Sequence, residues 1–164
     1  FMNCVRFVEA LGVPPDGATG AFLLLKDTLE LLEEAESVQD ILPVLFRLRL
    51  ASQQGYAPAL DACASCGRKE FDQAGFLVSE GTVVCPDCLS QRGNIVEISG
   101  KSLDVLRQVQ EDSPLRWRFL TPGPSEGPDT LLLPAERREC ARAVDGFVQY
   151  HLGLTWDRGR FRRV

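Results

Sequence analysis

Cys63-Ala-Ser-Cys66-Gly67 and Cys85-Pro-Asp-Cys88, with eighteen residues between the two pairs, decide how this chain is read. Each C-x-x-C turn offers two sulfurs to one tetrahedral ion, so the spacing reads as a four-thiolate zinc site built from Cys63, Cys66, Cys85 and Cys88. Gly67 relieves the tight turn after the first pair. Four protein ligands close the tetrahedron and leave no position for water or substrate, so the pattern names one structural Zn2+ and not a catalytic one. Iron also suits four thiolates, and two disulfides would use the same residues. Cys85-Pro-Asp-Cys88 has the C-P-x-C form of thiol oxidoreductases. Those enzymes place one such pair at a helix start, usually without a second pair nearby.

Between the pairs, Ala74-Gly-Phe-Leu-Val-Ser79 and Thr82-Val-Val84 read as short strands joined at Glu80-Gly81. Two cysteine turns and a hairpin make a zinc ribbon over residues 63–90. The flanking segments carry helical patterns. Val5, Phe7, Val8 and Leu11 form the apolar side of a helix that ends near Gly12. Phe22, Leu25, Leu29 and Leu32, widened by Leu24, Leu31 and Ala35, predict a second helix from about Thr19 to Glu36. Ser37-Val-Gln-Asp40 resembles a capping box that opens a third, with Pro43 in its first turn and Gly55 at its end. Leu103, Leu106 and Val109 align on a short helix. Residues 121–130 are a loop rich in Pro and Gly. Pro134 starts the last helix and Gly153 caps it, with Cys140, Val144, Phe147 and His151 on one face. The expected fold class is therefore all-α: a helical domain (residues 1–62 and 91–164, the latter with a basic C-terminal tail) carrying a small inserted four-cysteine zinc ribbon.

The 164 residues are 45% hydrophobic and 25% charged, as in ordinary globular proteins. The net charge of −5 argues against the whole surface attracting nucleic acid. Its distribution is uneven. Residues 1–62 hold nine Asp/Glu against four Lys/Arg, whereas 63–164 hold fourteen of each. Arg158, Arg160, Arg162 and Arg163 close the chain with Trp156 and Phe161 interleaved, and Arg137, Arg138 and Arg142 extend the patch. This run is either a solvated tail or a contact for phosphate or an acidic peptide. His151, the only histidine, reads as a hydrogen-bonded packing residue. No P-loop, dinucleotide fingerprint, nucleophile elbow or H-E-x-x-H motif is present, and an enzyme is not expected. The apolar runs are too short to span a bilayer and no signal peptide is seen, which points to a reducing cytoplasm with Cys4 and Cys140 as free thiols. The opening Phe1-Met2-Asn3 reads as the start of a fragment.

Three stretches carry a family resemblance. Gln54-Gly-Tyr-Ala-Pro-Ala-Leu-Asp-Ala-Cys63-Ala-Ser-Cys-Gly67 resembles the G-x-x-P-x-L-x-x-C-x-x-C-G stretch of the bacterial recombination mediators of the RecO family. Phe76-Leu-Val-Ser-Glu-Gly-Thr-Val-Val-Cys85-Pro-Asp-Cys88 is similar to that family's second cysteine segment, and Gln149-Tyr-His-Leu-Gly-Leu-Thr-Trp156 to its final helix and tail. The resemblance covers the family's helical, zinc-binding C-terminal part and not its N-terminal OB-fold domain. It implies a DNA repair and recombination protein, nucleoid-associated in the cytoplasm. Its implied partners are the acidic C-terminal tail of single-stranded DNA-binding protein and RecR, and its implied work is loading of RecA and strand annealing. Single-stranded DNA would be held mainly by the OB-fold domain. An acidic tail ending in an apolar residue needs an apolar pocket rimmed by arginines, for which Arg47, Arg49, Arg137 and Arg142 are the candidates. Arg158, Arg160, Arg162 and Arg163 are the candidates for nucleic acid. The rival readings are a zinc-ribbon interaction module of another nucleic-acid machine and a thiol oxidoreductase.

Overall fold

Alternation along residues 73–78 organises the fold. Ala74, Phe76 and Val78 join the large buried cluster formed with the helices. Leu77 turns the other way, into a small cluster with Cys63, Val84 and Cys85. A strand's side chains alternate between faces, so one strand serves two layers at once. The computed structural model describes residues 1–89, 95–121 and 131–164. Residues 122–130 of the expected Pro/Gly loop, and the boundary placed at 90/91, lie outside the described residues.

The described elements are α1 (Met2–Leu11), α2 (Ala18–Glu34), α3 (Leu42–Gln53), β1 (Ala59–Cys63), β2 (Gln73–Leu77), β3 (Thr82–Val84), β4 (Ile95–Ser99), α4 (Gly100–Glu111), α5 (Pro134–Leu152), β5 (Leu154–Asp157) and β6 (Arg160–Arg163). Short 3-10 turns cover Pro86–Cys88, Pro114–Arg116 and Arg118–Leu120. Among the described residues the strands form a four-stranded sheet ordered β1-β3-β2-β4 and a two-stranded sheet β5-β6. The expected all-α class is thereby corrected to mixed α/β. The β2–β3 hairpin does not stand alone. β4 pairs antiparallel with β2 along its length, from Gln73↔Ser99 to Leu77↔Ile95, and β1 pairs parallel with β3. Leu60, Val83 and Ile98 belong to the same buried cluster as Leu45, Phe46 and Phe147. One apolar layer thus fills the space between sheet and helices.

Local chemistry explains four of the ten described helix ends. Gly12 and Gly153 close α1 and α5 at φ of 69° and 62°, the left-handed region where a side chain is costly. Pro134 begins α5 at a position that needs no N–H. The Ser99 hydroxyl accepts from Ser102 N–H and caps α4. The capping box expected at Ser37 does not form. The residue before α3 is Ile41, with no side-chain cap. Gln39 is held elsewhere: its N–H donates to the Leu120 carbonyl and its side-chain amide to the Leu132 carbonyl. On α2 the buried stripe is Ala21, Leu24, Thr28 and Leu31. Phe22 and Leu29, which lead the stripe expected from periodicity, are 66% and 41% exposed.

The basic tail is a hairpin. Arg158 and Gly159 both have positive φ, 45° and 83°, the conformation a two-residue turn needs to match strand twist. Phe161 fixes the hairpin to the body, packing on Phe7 at 5.0 Å and on Trp156 at 4.8 Å between ring centroids.

Candidate metal centre

The four cysteines of the two C-x-x-C turns come together at one end of the four-stranded sheet. Cys63 is the last residue of β1. Its carbonyl accepts from Gly67 N–H at 2.8 Å and its N–H donates to the Arg68 carbonyl at 2.7 Å. Gly67 takes φ 75°, which closes this turn. Cys85 follows β3, and Pro86–Cys88 turns as a 3-10 helix, with Cys88 N–H donating to the Cys85 carbonyl at 3.0 Å. The parallel pairing of Cys63 with Val83 sets the first turn beside the second. Arg68 reaches across from one turn to Asp87 of the other at 2.8 Å, an exposed pair that contributes little energy but fits the same approach.

The sulfurs meet the demands of a four-thiolate ion. All four Sγ atoms lie within 4.8 Å of one another, and Cys66 Sγ and Cys85 Sγ are 3.7 Å apart. A tetrahedron with Zn–S bonds of about 2.3 Å has sulfur–sulfur edges of roughly 3.8 Å. The Cys85 N–H points at Cys63 Sγ at 3.3 Å, a donor that favours thiolate over thiol. Burial pushes the Cys63 thiol up, but this N–H, those of Cys66 and Ser65 and the Cys66 thiol outweigh it and bring it down to about 6. Cys88 is driven the other way, to about 12, by hydrogen bonds with Cys85 and Cys66 and by burial. Four thiols in one cavity cannot all ionise without a cation, and a divalent ion at their centre removes that conflict. Cys4 and Cys140 are fully buried elsewhere, with thiols raised by burial to about 11 and about 12, and are inert packing groups.

The arginines named from sequence do not gather in one place. Arg47 is inside, its side chain 5% exposed, bound to Asp145 of α5 at 2.7 Å, with its guanidinium 5.6 Å from the Phe161 ring centroid. Arg49 is half-buried and donates to the Gln110 carbonyl at the end of α4. Arg137 pairs with Asp40 at 2.8 Å ahead of α3. Arg142 is exposed on α5, near enough to Glu139 to lower its carboxyl. On the hairpin, Trp156 pairs with Phe161 and Leu154 with Arg163, so these share a face. Thr155 with Arg162 and Asp157 with Arg160 share the other. Arg162 meets Asp157 at 3.1 Å. Arg6 of α1, missed by sequence reasoning, donates to the Gly159 carbonyl. With Arg158 and Arg160 it lines an open groove of about 580 Å³. No local signal linked residues so far apart in the chain. His151 donates to the Val78 carbonyl at 2.9 Å and packs on Phe147, as a packing residue does. Among the described residues no helix is long and apolar enough to cross a membrane.

Comparison with known proteins places this arrangement. The family model described as "Recombination protein O C terminal" matches residues 2–160. A protein of Nitratidesulfovibrio vulgaris strain DP4 named "DNA repair protein RecO" is 50% identical over 169 residues, covering 99% of this chain and 63% of that protein. Proteins of the same name from Oleidesulfovibrio alaskensis and Lawsonia intracellularis are 46% and 40% identical, over 99% and 100% of this chain and 62% and 63% of their own. The chain thus spans about 63% of the length of the curated relatives it matches. No solved structure matches it.

Proposed function

The chain belongs to the C-terminal family of recombination protein O, and from that premise we propose that it is the protein-docking part of a mediator of DNA repair and recombination. In this reading it binds the acidic C-terminal tail of single-stranded DNA-binding protein and RecR, helps load RecA and assists strand annealing. It works in the cytoplasm by binding and not by turnover. The observation that carries the reading is the family match over residues 2–160, which takes in the described helices and the cysteine sheet together. Cys63, Cys66, Cys85 and Cys88 hold one structural Zn2+, whose chemistry is to fix the two turns of residues 63–90 and thereby the sheet under α5.

For the acidic tail, Arg142, exposed on α5, is the leading contact, with Arg137 beside Asp40 and the half-buried Arg49 as the further candidates. Arg47, committed to Asp145, supports α5 from within. The test is fluorescence anisotropy of a labelled peptide copying that tail, titrated with the metal-loaded chain at two salt concentrations. Saturable binding that weakens with salt and is lost in Arg137→Glu or Arg142→Glu is expected. No binding by the folded, metal-loaded chain would remove tail docking from this part of the protein.

A second reading, binding of nucleic-acid phosphates, is favoured by the hairpin. Arg160 and Arg162 project from one face of β6, and Arg158 with Arg6 rims the adjoining groove. Replacing one phosphate-binding arginine by alanine should lower the salt slope of binding by about one.

A further inference from the structure

We infer that Arg107, which is not a ligand, sets the metal affinity of the four-cysteine centre by holding the first cysteine turn in its ligating shape. The inference rests on the metal reading of that centre. Arg107 stands on α4, outside the cysteine segment in sequence. Its Nε donates to the Leu60 carbonyl at 2.8 Å, and its Nη2 to the carbonyls of Asp61 and Lys69, each at 3.2 Å. Leu60 and Asp61 lead into Cys63, and Lys69 lies just beyond Cys66-Gly67-Arg68. One planar guanidinium therefore ties the incoming and outgoing arms of the loop that carries two of the four sulfurs. Asp104, one helical turn earlier on α4, holds the guanidinium from behind at 3.0 Å.

The loop needs such a clamp. β1 is an edge strand, and its register with β3 slips between Ala59↔Thr82 and Cys63↔Val83. Leu60 and Asp61 fall inside that irregular stretch, where no residue of β3 is in register with them. A spare carbonyl pair at a sheet edge would ordinarily be left to water. Here a single side chain supplies three donors in fixed directions, which a lysine ammonium on a flexible stem cannot reproduce. The Cys63 N–H to Arg68 carbonyl bond closes the same loop from its inner side. Without Arg107 all four cysteines remain, but the spacing of Cys63 and Cys66 is no longer held before the ion arrives. Groups outside the ligand set that orient ligands typically change metal affinity ten- to a hundred-fold.

The test uses the full chain with Zn2+ in competition with a chromophoric chelator, and Co2+ as a spectroscopic probe. Arg107→Ala and Arg107→Lys should both bind about ten- to a hundred-fold more weakly, while keeping the absorption of a four-thiolate cobalt site. Arg116→Ala, which removes an exposed surface pair, should match the parent. Melting with and without excess chelator separates the roles. A positioning residue shrinks the metal-induced rise in Tm, whereas a merely structural tie lowers both Tm values equally. Should Arg107→Ala fail to fold, Arg107→Lys and Asp104→Ala carry the comparison, each expected to bind more weakly than the parent. Parent-like affinity in the folded Arg107 variants overturns the inference and leaves the metal reading standing. A parent chain that takes up neither metal overturns both.

Discussion

Asp145→Ala should destabilise the chain by about 2 kcal/mol, while Arg47→Met costs less, although both break the same ion pair. The asymmetry comes from burial. Arg47 has 5% of its side-chain surface in water and Asp145 has 56%. At 2.7 Å the gross attraction is about 1.5 kcal/mol with the dielectric of water and about 6 kcal/mol at an effective value near 20. The exposed carboxylate places the pair toward the lower figure, near 2 kcal/mol. Burial lowers Arg47 despite the attraction of Asp145. Without Asp145 a guanidinium whose Nε already has no partner among the described residues is left enclosed. Without Arg47, Asp145 simply hydrates, and Met fills the space of the stem against Phe161. Chemical denaturation of the two single variants and the double variant closes the cycle. For a chain of this length about 2 kcal/mol corresponds to roughly 4–8 °C in Tm. The expected result is a drop of that size for Asp145→Ala that Arg47→Met largely rescues. A change below about 0.5 kcal/mol for Asp145→Ala, with no rescue, would refute the placing of Arg47 as an interior residue.

Phe76→Ala should cost about 3–5 kcal/mol and melt helices and sheet in one transition followed at 222 nm, because Phe76 is 2% exposed and packs toward Phe147. A first transition that leaves the helices intact would contradict the shared core. Cys66→Ser should lose the metal but keep its helical signal at room temperature. If free metal stands about a thousand-fold above Kd, the stability lost is about 4 kcal/mol, readable as a lower Tm. Glu139 gives a pH test. Burial raises its carboxyl, but donors from Ser102 and Ser99, with Arg142 nearby, outweigh it and hold it below the ordinary value of 4.5. Its contribution is thus present above that value and lost as pH falls through the depressed one. Glu139→Gln should flatten the acid limb of the stability curve, and an unchanged limb would exclude Glu139 as its source. Gly146→Ile, whose Cβ would sit 3.2 Å from Val78 Cγ2, should push α5 from the sheet at about 1–3 kcal/mol, measured by denaturant midpoint.

What was legible in the sequence was local. The C-x-x-C spacing sets two sulfurs in each turn, and Pro134, Gly153 and the β2–β3 alternation act within a few residues of themselves. What was hidden depended on distant partners. β4 reads Ile95-Val-Glu-Ile-Ser99, an alternation present in the sequence, but its meaning lies in pairing with β2 across the cysteine segment. β1 is short, weak in strand formers and irregular in register, so its pairing is imposed by the sheet. The Ser37 capping box lost to two hydrogen bonds from Gln39 to distant carbonyls. On α2, two overlapping apolar stripes exist, and periodicity alone cannot say which one meets the core. The arginine run masked a hairpin because charge dominates its composition, while Arg158-Gly159 and the packing of Phe161 on Phe7 set its shape.

The most direct test of the central claim is metal analysis of the chain purified without chelator, combined with thiol counting. The account predicts about one zinc per chain and native thiols that resist titration. All six cysteines should become reactive only on unfolding with chelator, and metal should be lost in Cys85→Ser. A folded chain that carries no metal and takes none up, or one whose metal survives Cys85→Ser, contradicts it.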